Sequence, residues 1–284
     1  MVVDRGLAFL RRLETNSRIN IALSKAAAVT PLIKADSRNP LSWEFSAFSQ
    51  NGEDGIIDYL LGRILEPSRF FFEIGCSDGI ENNTSWLAVA RRYAGLMVEG
   101  DPKLAEHLKT MMAALNVHVK VVHCFVSADN IRTLVEGIPV PNPDFFSLDI
   151  DGNDLYIAEA VLKSGLHPRV LAVEYNSVFG PDSSISVAYD SQFDFREKHS
   201  SELYFGVSVT AWKRMLTRFG YKFLSVDSNG VNAFFIASEF FAPDFVEGLR
   251  GAPFRDNLFQ LNKFGKSWRE RFQIIQSMPY VNVE

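Results

Sequence analysis

The sequence predicts an α/β fold in which a mostly parallel β-sheet is covered by helices on both faces. Short apolar runs alternate with helical stretches through the middle of the chain, and an Asn-Gly turn joins two further apolar runs near its end. Alternation of this kind is typical of parallel strands joined by helical crossovers. Asn-Gly between apolar runs is typical of an antiparallel hairpin. Together these observations predict a seven-stranded sheet that ends in a hairpin.

The predicted elements follow one another in a regular order. Apolar residues on the first helix are spaced to bury one face, and the strands are short and rich in apolar residues. Helices are predicted over residues 53–65, 84–93, 103–115, 131–136, 155–163 and 209–219, and strands over residues 70–74, 95–99, 119–125, 144–149, 169–174, 221–226 and 231–237. A helix and a hairpin after five parallel strands are expected for the Rossmann-like fold of class I methyltransferases. A nicotinamide-binding domain normally continues with a sixth parallel strand.

Length and composition limit the domain organisation and the partners. The 284 residues suit one large domain, predicted over residues 46–240, with helical extensions over residues 1–45 and 241–284. Residues 177–208 lack a helical period and are predicted to form a lid or a substrate-binding insertion. The net charge of −5 without a basic stripe disfavours nucleic acid as a partner. Two cysteines, and no apolar run of the ~18–20 residues that span a bilayer, predict a cytoplasmic protein without stable membrane insertion.

A glycine-containing turn follows the first strand, with the sequence Glu73-Ile74-Gly75-Cys76-Ser77-Asp78-Gly79. Its glycines allow a ligand to approach the backbone closely, and the next helix offers unpaired N–H groups. A dinucleotide fingerprint needs glycines at positions one, three and six, but Ser77 and Ile80 occupy the last two. The pattern resembles instead the S-adenosylmethionine (SAM) loop of class I methyltransferases, although an ordinary strand-to-helix turn is the alternative.

An acid at the end of the second strand strengthens that interpretation. Glu99 lies 24 residues after Gly75, where a carboxylate accepts hydrogen bonds from the ribose hydroxyls of an adenosyl ligand. Asp101 is a candidate for the adenosine side, and equally for the cap of the helix that begins near Pro102. Ser127, just beyond the third strand, is placed near the adenine by topology alone.

Residues 72–102 are similar to class I SAM-dependent methyltransferases, and further motifs are similar to those of a bacterial FkbM-related group within them. These motifs are Ser49-Gln50-Asn51-Gly52-Glu53-Asp54-Gly55, Asp149-Ile150-Asp151-Gly152-Asn153-Asp154, residues 174–181 and residues 232–235. The resemblance covers about residues 46–240 and implies SAM as the cofactor, with the segment around Gln50 as one wall of its pocket. The predicted cofactor-binding residues are Gln50, Glu53, Glu73, Gly75, Ser77, Asp78, Gly79, Glu99, Asp101, Ser127 and Asp149.

Oxygen ligands follow the fourth and fifth strands, whose carboxyl ends meet at the ligand-binding crevice of such folds. Asp149, Glu174 and Asn176 are predicted to hold one hard cation, with Mg²⁺, Mn²⁺ and Ca²⁺ favoured over zinc. Metal-dependent methyltransferases of the family use an acid and an adjacent pair of ligands here, whereas Tyr175 separates the pair in this chain. The alternative without metal has Asp149 and Asp151 binding the SAM amino group, while Glu174 and Asn176 bind substrate hydroxyls.

Methyl transfer to an alcohol needs a base, because an alkyl hydroxyl does not ionise unaided. Asp151 is the first candidate and His199, in the polar stretch of the insertion, is the second. The aromatic and polar residues of the insertion suit a sugar or another polyol, and they suit a homodimer interface almost as well.

The leading hypothesis is a SAM-dependent O-methyltransferase that acts on a sugar or other polyhydroxylated acceptor, with Mg²⁺ as a candidate assistant. The alternative is a non-catalytic SAM-fold partner protein in surface-polysaccharide or natural-product assembly. A small-molecule or glycan acceptor is expected in the first case. Removal of residues 1–45 is expected to leave SAM binding intact, whereas removal through Asp54 is expected to abolish it.

Overall fold

Nine β-strands form two sheets in the computed structural model, which describes the backbone of residues 2–284 and the side chains of residues 13–284. The large sheet contains β1 (Phe70–Ile74), β2 (Ala94–Glu99), β3 (Val119–His123), β4 (Phe145–Leu148), β5 (Val170–Glu174), β7 (Tyr221–Val226) and β8 (Asn232–Ala237). The small sheet contains β6 (Ile185–Val187) and β9 (Tyr280–Asn282). Each predicted strand of the large sheet is present, with ends that differ by no more than two residues from those predicted.

Eleven α-helices are present in the same residues. They are α1 (Val2–Val29), α2 (Glu53–Leu61), α3 (Ser85–Val89), α4 (Pro102–Leu115), α5 (Ile131–Glu136), α6 (Asp154–Lys163), α7 (Phe195–Lys198), α8 (Val209–Arg218), α9 (Pro243–Gly248), α10 (Leu258–Phe264) and α11 (Trp268–Ile275). The helix predicted over residues 53–65 ends at Leu61, ahead of Gly62 and Pro67, which both disfavour its continuation. No helix among the described residues has the length and apolar character needed to cross a bilayer.

The large sheet has the strand order β3-β2-β1-β4-β5-β8-β7. The strands β1 to β5 are parallel to one another, β8 runs antiparallel to β5, and β7 pairs with β8 as a hairpin. The predicted Rossmann-like fold with a C-terminal antiparallel hairpin is therefore confirmed. The strand order reverses between β1 and β4, so the crevice for a ligand is expected at the carboxyl ends of these two strands.

Both faces of the large sheet are buried, because alternate residues of each strand point to opposite sides. On one face the rings of Phe72 and Phe146 stack 5.0 Å apart under α5, α6 and α8. On the other face Phe71 and Phe145 pack with residues of α2, α3 and α4, and Ile19 of α1 joins them. This packing holds the carboxyl ends of the strands in a fixed register, and the site described below depends on that register.

The insertion and the C-terminal segment share a small core of their own. Val178, Phe179 and Leu203 of the insertion pack with Ile275 of α11, and β6 of the insertion pairs with β9 of the tail. Arg271 of α11 is fully buried and pairs with Asp256. The tail thus contains three short helices and a strand, of which α10, α11 and β9 pack against the insertion.

Candidate functional site

The turn after β1 brings the backbone of one strand end against that of another. Gly75 has a φ of +86°, and a Cβ added there would lie 1.7 Å from the carbonyl oxygen of Asp149. Only glycine fits this position, since any side chain would collide with the loop after β4. The glycine therefore lets the turn after β1 pack directly against the loop after β4, at the point where the strand order reverses.

Glu99 joins this turn to the end of β2. Its carboxylate accepts hydrogen bonds from the backbone N–H of Ser77 at 2.7 Å and from that of Asp101 at 2.8 Å. Each carboxylate oxygen has further lone pairs, so Glu99 can also accept hydrogen bonds from a ligand. Asp101 caps α4 by accepting hydrogen bonds from the N–H groups of Lys103 and Leu104, which agrees with the helix-cap role predicted for it.

A cavity of about 630 Å³ opens over these groups. Six of the predicted cofactor-binding residues line it, namely Gln50, Gly75, Ser77, Glu99, Asp101 and Asp149. Residues that had not been predicted also line it, among them Glu81, Phe125, Phe193 and Arg196. The side chain of Phe125 is 57% exposed at this edge, which is high for a phenylalanine and leaves one aromatic face free.

Glu73 lies behind the cavity rather than in its lining. It is buried and accepts hydrogen bonds from Asn82 Nδ2 at 2.9 Å, from Asn83 N at 3.0 Å and from the Thr84 hydroxyl. Burial raises the pKa of Glu73 to about 7, against an ordinary value of 4.5. The Glu73 side chain therefore stabilises the loop before α3, which follows the glycine turn of residues 75–79.

Four other predicted cofactor-binding residues also lie outside the lining. Asp78 pairs with Arg18 of α1 at 2.7 Å. Glu53 accepts from Asn232 Nδ2 at 2.8 Å and ties α2 to β8. The N–H of Ser127 donates to Asn130 before α5. Gly79 continues the turn, and its N–H donates to the carbonyl of Cys76. The structure gives these residues supporting roles around the cavity.

Three carboxyl groups cluster at the ends of β4 and β5. Oxygen atoms of Asp149, Asp151 and Glu174 all lie within 4.8 Å of one another, and they form the one such group of three or more potential metal ligands among the described residues. Asp149 and Glu174 are hydrogen-bonded to each other, and burial and mutual repulsion raise the pKa of both well above the ordinary range. Burial and the neighbouring Asp154 raise the pKa of Asp151 to about 6.

The structure does not bring Asn176 into this cluster, contrary to the predicted ligand set. Its amide nitrogen donates to the carbonyls of Leu203 at 2.8 Å and Phe205 at 2.9 Å, and its oxygen accepts from Val178 N at 3.1 Å. Asn176 therefore fastens the insertion to the end of β5, and Asp151 takes the third place in the cluster.

The loop from Asp149 to Asp154 shapes the cluster. Asp151 has a φ of +54°, an unusual conformation for a residue other than glycine. The Asp154 carboxylate stabilises this loop by accepting from the N–H groups of Ile150 at 2.9 Å and Gly152 at 2.8 Å. Strained backbone of this kind is concentrated at functional sites.

A second cavity of about 420 Å³ adjoins the first. It shares Phe125, Ile150, Asp151, Phe193 and Arg196 with the first cavity and adds residues 192, 194, 195 and 197 of the insertion. Asp151 is the one carboxylate among the shared residues.

His199, the second candidate base, lies outside the lining of both cavities. Its Nδ1 lies 2.8 Å from the Ser201 hydroxyl, within the turn that follows α7. Of the two candidate bases, the structure brings Asp151 to the cavities and holds His199 in a local turn.

The comparisons with known proteins concern the fold. No protein-family model matches the chain, and no curated protein matches its sequence. The O-methyltransferase from Bacillus cereus in complex with S-adenosylhomocysteine (SAH) is 19% identical, with 78% of this chain and 89% of that chain covered and a TM-score of 0.44. TomG, an O-methyltransferase from Streptomyces achromogenes involved in tomaymycin synthesis and bound to SAM, is 16% identical, with 76% and 95% covered and a TM-score of 0.45. The carbon methyltransferase CurJ is 9% identical, with 83% and 70% covered and a TM-score of 0.44.

Proposed function

We propose that this protein is a SAM-dependent O-methyltransferase of the FkbM-related group that acts on a sugar or another polyhydroxylated acceptor. One observation carries the proposal: a cavity lined by the Gly75 turn and Glu99 adjoins a second cavity, and Asp151 is the one carboxylate that lines both. A methyl donor and a hydroxylated acceptor need such adjoining spaces with a base between them.

The residues of the first cavity fit SAM. The Gly75 turn and the carboxylate of Glu99 both line it, and they offer the glycine turn and the ribose acceptor that an adenosyl ligand requires. Gln50 and Asp149 line the same cavity, and we assign them to the amino acid part of the ligand. Bound SAM supplies a methyl group on a positively charged sulfur, which leaves as a neutral thioether.

Asp151 takes the proton of the acceptor hydroxyl in this proposal. Its pKa of about 6 leaves the carboxylate mostly ionised at neutral pH, yet makes it more basic than an ordinary aspartate. The positive φ of Asp151 turns the residue out of the line of β4, at the point shared by both cavities.

A divalent cation fits the cluster of Asp149, Asp151 and Glu174, which offers three oxygen ligands of the kind that Mg²⁺ and Mn²⁺ prefer. Such an ion would lower the pKa of an acceptor hydroxyl. Without the ion, a proton shared by Asp149 and Glu174 would relieve their repulsion. We propose the cation as an assistant to Asp151.

Calorimetry of the purified protein with SAM, SAH and NADH tests the cofactor. Binding of SAM and SAH without NADH is expected, and binding of NADH alone would contradict the proposal. Methyl transfer from labelled SAM is then followed over a panel of sugars and other polyols. Asp151→Asn is expected to bind SAM as the unaltered protein does and to lose turnover, because an amide cannot accept the proton.

A separate titration tests the cation. Binding of Mn²⁺, followed by electron paramagnetic resonance, is expected in the unaltered protein and is expected to be lost in Asp149→Asn. Glu159→Gln, on the exposed side of α6, serves as the matched control. Failure to bind millimolar Mn²⁺, together with turnover insensitive to EDTA, would leave Asp151 acting without a metal.

A further inference from the structure

The charges around the second cavity select among acceptors. Asp151, Asp194 and Glu197 line it, and Arg196 is the one cation among the described residues that line either cavity. The Arg196 guanidinium is already paired, since its Nε lies 2.8 Å from Asp194 Oδ1 and its Nη2 lies 2.6 Å from Asp194 Oδ2. The same guanidinium also interacts electrostatically with Asp151 and Glu197, so one cation faces three acids in this lining.

The balance of charge in the lining of the second cavity is negative. Asp151, Asp194 and Glu197 supply three carboxylates against the one guanidinium of Arg196. An anionic acceptor would therefore meet repulsion from the lining.

Aromatic side chains complete the wall of the cavity. Phe125, Phe193 and Phe195 line it. The ring of Phe193 is supported by Tyr204 at 6.2 Å and that of Phe195 by Phe205 at 6.0 Å. The faces of such rings attract cations and repel anions. Lys198 Nζ already lies 5.6 Å from the centre of the Phe193 ring and the Arg196 guanidinium lies 5.9 Å from that of Phe195, whereas Phe125 is 57% exposed.

The wall is held in place by the loop that carries Asp151. A Cβ added to Gly152 would lie 2.4 Å from Phe193 Cδ1, so the phenyl ring rests directly on this glycine. Asn153 and Asp190 exchange two hydrogen bonds, Nδ2 to the carbonyl at 2.7 Å and N–H to Oδ1 at 3.2 Å. The aromatic and acidic groups are therefore preorganised around the base, which reduces the cost of ordering them when a ligand binds.

We infer that the second cavity takes an acceptor that carries a positively charged amino group beside its hydroxyl groups, as an amino sugar does, and that it discriminates against carboxylated and phosphorylated acceptors. The inference rests on the proposed function, in which the second cavity is the acceptor site. An ammonium group is attracted by Glu197 and the exposed Phe125, and the neighbouring hydroxyl is left for Asp151.

Ligand-observed NMR on the full chain saturated with SAH tests this inference with a matched set of sugars. The set is glucosamine, N-acetylglucosamine, which has the same skeleton without the charge, and glucuronate, which is anionic. Glucosamine is expected to bind about tenfold more tightly than N-acetylglucosamine, because a favourable contact of an ammonium with a carboxylate and aromatic faces has about this effect on affinity. Glucuronate is expected to bind more weakly than either.

Two variants test whether Glu197 causes the preference for glucosamine. Glu197→Gln is expected to reduce the preference for glucosamine several-fold, whereas Glu202→Gln, an exposed acid of the same insertion that pairs with Lys263, is expected to leave it unchanged. Equal or tighter binding of glucuronate or N-acetylglucosamine would overturn the inference, and so would the absence of glucosamine binding. Because the readout is binding, the two proposals fail separately. Selective binding without methyl transfer rejects the proposed function alone, and methyl transfer to uronic acids rejects the inference alone.

Discussion

Substitution of Glu99 by Gln separates the role of its charge from the role of its shape. In the structure both carboxylate oxygens accept from backbone N–H groups, one from Ser77 in the glycine turn and one from Asp101 at the start of α4. Glutamine has nearly the same size but only one oxygen. Its amino group must therefore face one of these N–H donors without a hydrogen bond.

The expected loss of affinity comes from the hydrogen bond that a ribose hydroxyl would donate to Glu99. Glu99 is only 8% exposed, so water does not readily replace the lost acceptor. A hydrogen bond to a charged group contributes about 1.5–3 kcal/mol, which corresponds to about a 10- to 150-fold weaker affinity for SAM and for SAH. Alanine removes both acceptors, so Glu99→Ala is expected to bind at least as weakly as Glu99→Gln.

Calorimetry measures both affinities, and thermal unfolding of the free proteins reports damage to the turn itself. Glu136→Gln serves as the control, since this acid pairs with Arg132 on the surface of α5, away from the cavity. Unchanged SAM affinity in Glu99→Gln would refute the placement of the cofactor. A fall in the melting temperature with unchanged affinity would show that Glu99 only supports the turn.

Three further substitutions test the frame of the site. Gly75→Ala is expected to abolish SAM binding, whereas Gly220→Ala, at the same φ of +86° but with open space around it, should cost about 1–3 kcal/mol of stability and leave binding unchanged. Glu73 is protonated up to about pH 7 in the folded chain but only up to about pH 4.5 in the unfolded chain. Its contribution to the free energy of unfolding therefore falls by about 3 kcal/mol as the pH rises between these values. Denaturant titrations should show a flatter dependence of stability on pH in Glu73→Gln than in the unaltered protein. Arg169→Ala leaves Asp144 buried without its ion pair, and urea unfolding should show a loss of about 3–5 kcal/mol.

The sequence was sufficient to predict the strands and the residues at their ends. Apolar runs of strand length alternate with helical stretches, and parallel strands bring their carboxyl ends to one edge. For that reason Gly75, Glu99, Asp149 and Asp151 were predicted near one another, and the structure places all four in the lining of one cavity.

Side chains that reach the site from irregular segments could not be predicted in this way. Phe193 and Arg196 belong to an insertion without hydrophobic periodicity. Their position depends on two contacts, that of Phe193 with Gly152 and that of the insertion with the C-terminal tail. Asn176 was predicted as a metal ligand, and the structure places its side chain elsewhere. Its spacing from Glu174 suits a shared face of a strand, but the strand ends at Glu174 and the amide turns to the insertion. Gly152 and Asn153 gave a weak indication that the insertion contacts this loop, since both lie in the motif that carries Asp151 and both contact the insertion.

The N-terminal helix gives the last prediction, because the structure changes what removal of residues 1–45 should do. Arg18 of α1 pairs with Asp78 in the cofactor turn at 2.7 Å and with Glu81 at 3.1 Å, and Glu81 in turn accepts from Gln50 at 2.8 Å in the lining of the cavity. Two partly exposed ion pairs contribute about 0.4–2 kcal/mol together, so Arg18→Ala is expected to weaken SAM binding by about 2- to 30-fold. Removal of residues 1–29 should weaken it at least as much, since Ile19 also leaves the core. Both effects are measured by calorimetry against an Arg132→Ala control at low and high salt, where screening should reduce the effect of Arg18→Ala. Full SAM affinity in the truncated protein would show that α1 only covers the sheet and that Gln50 holds its place without it.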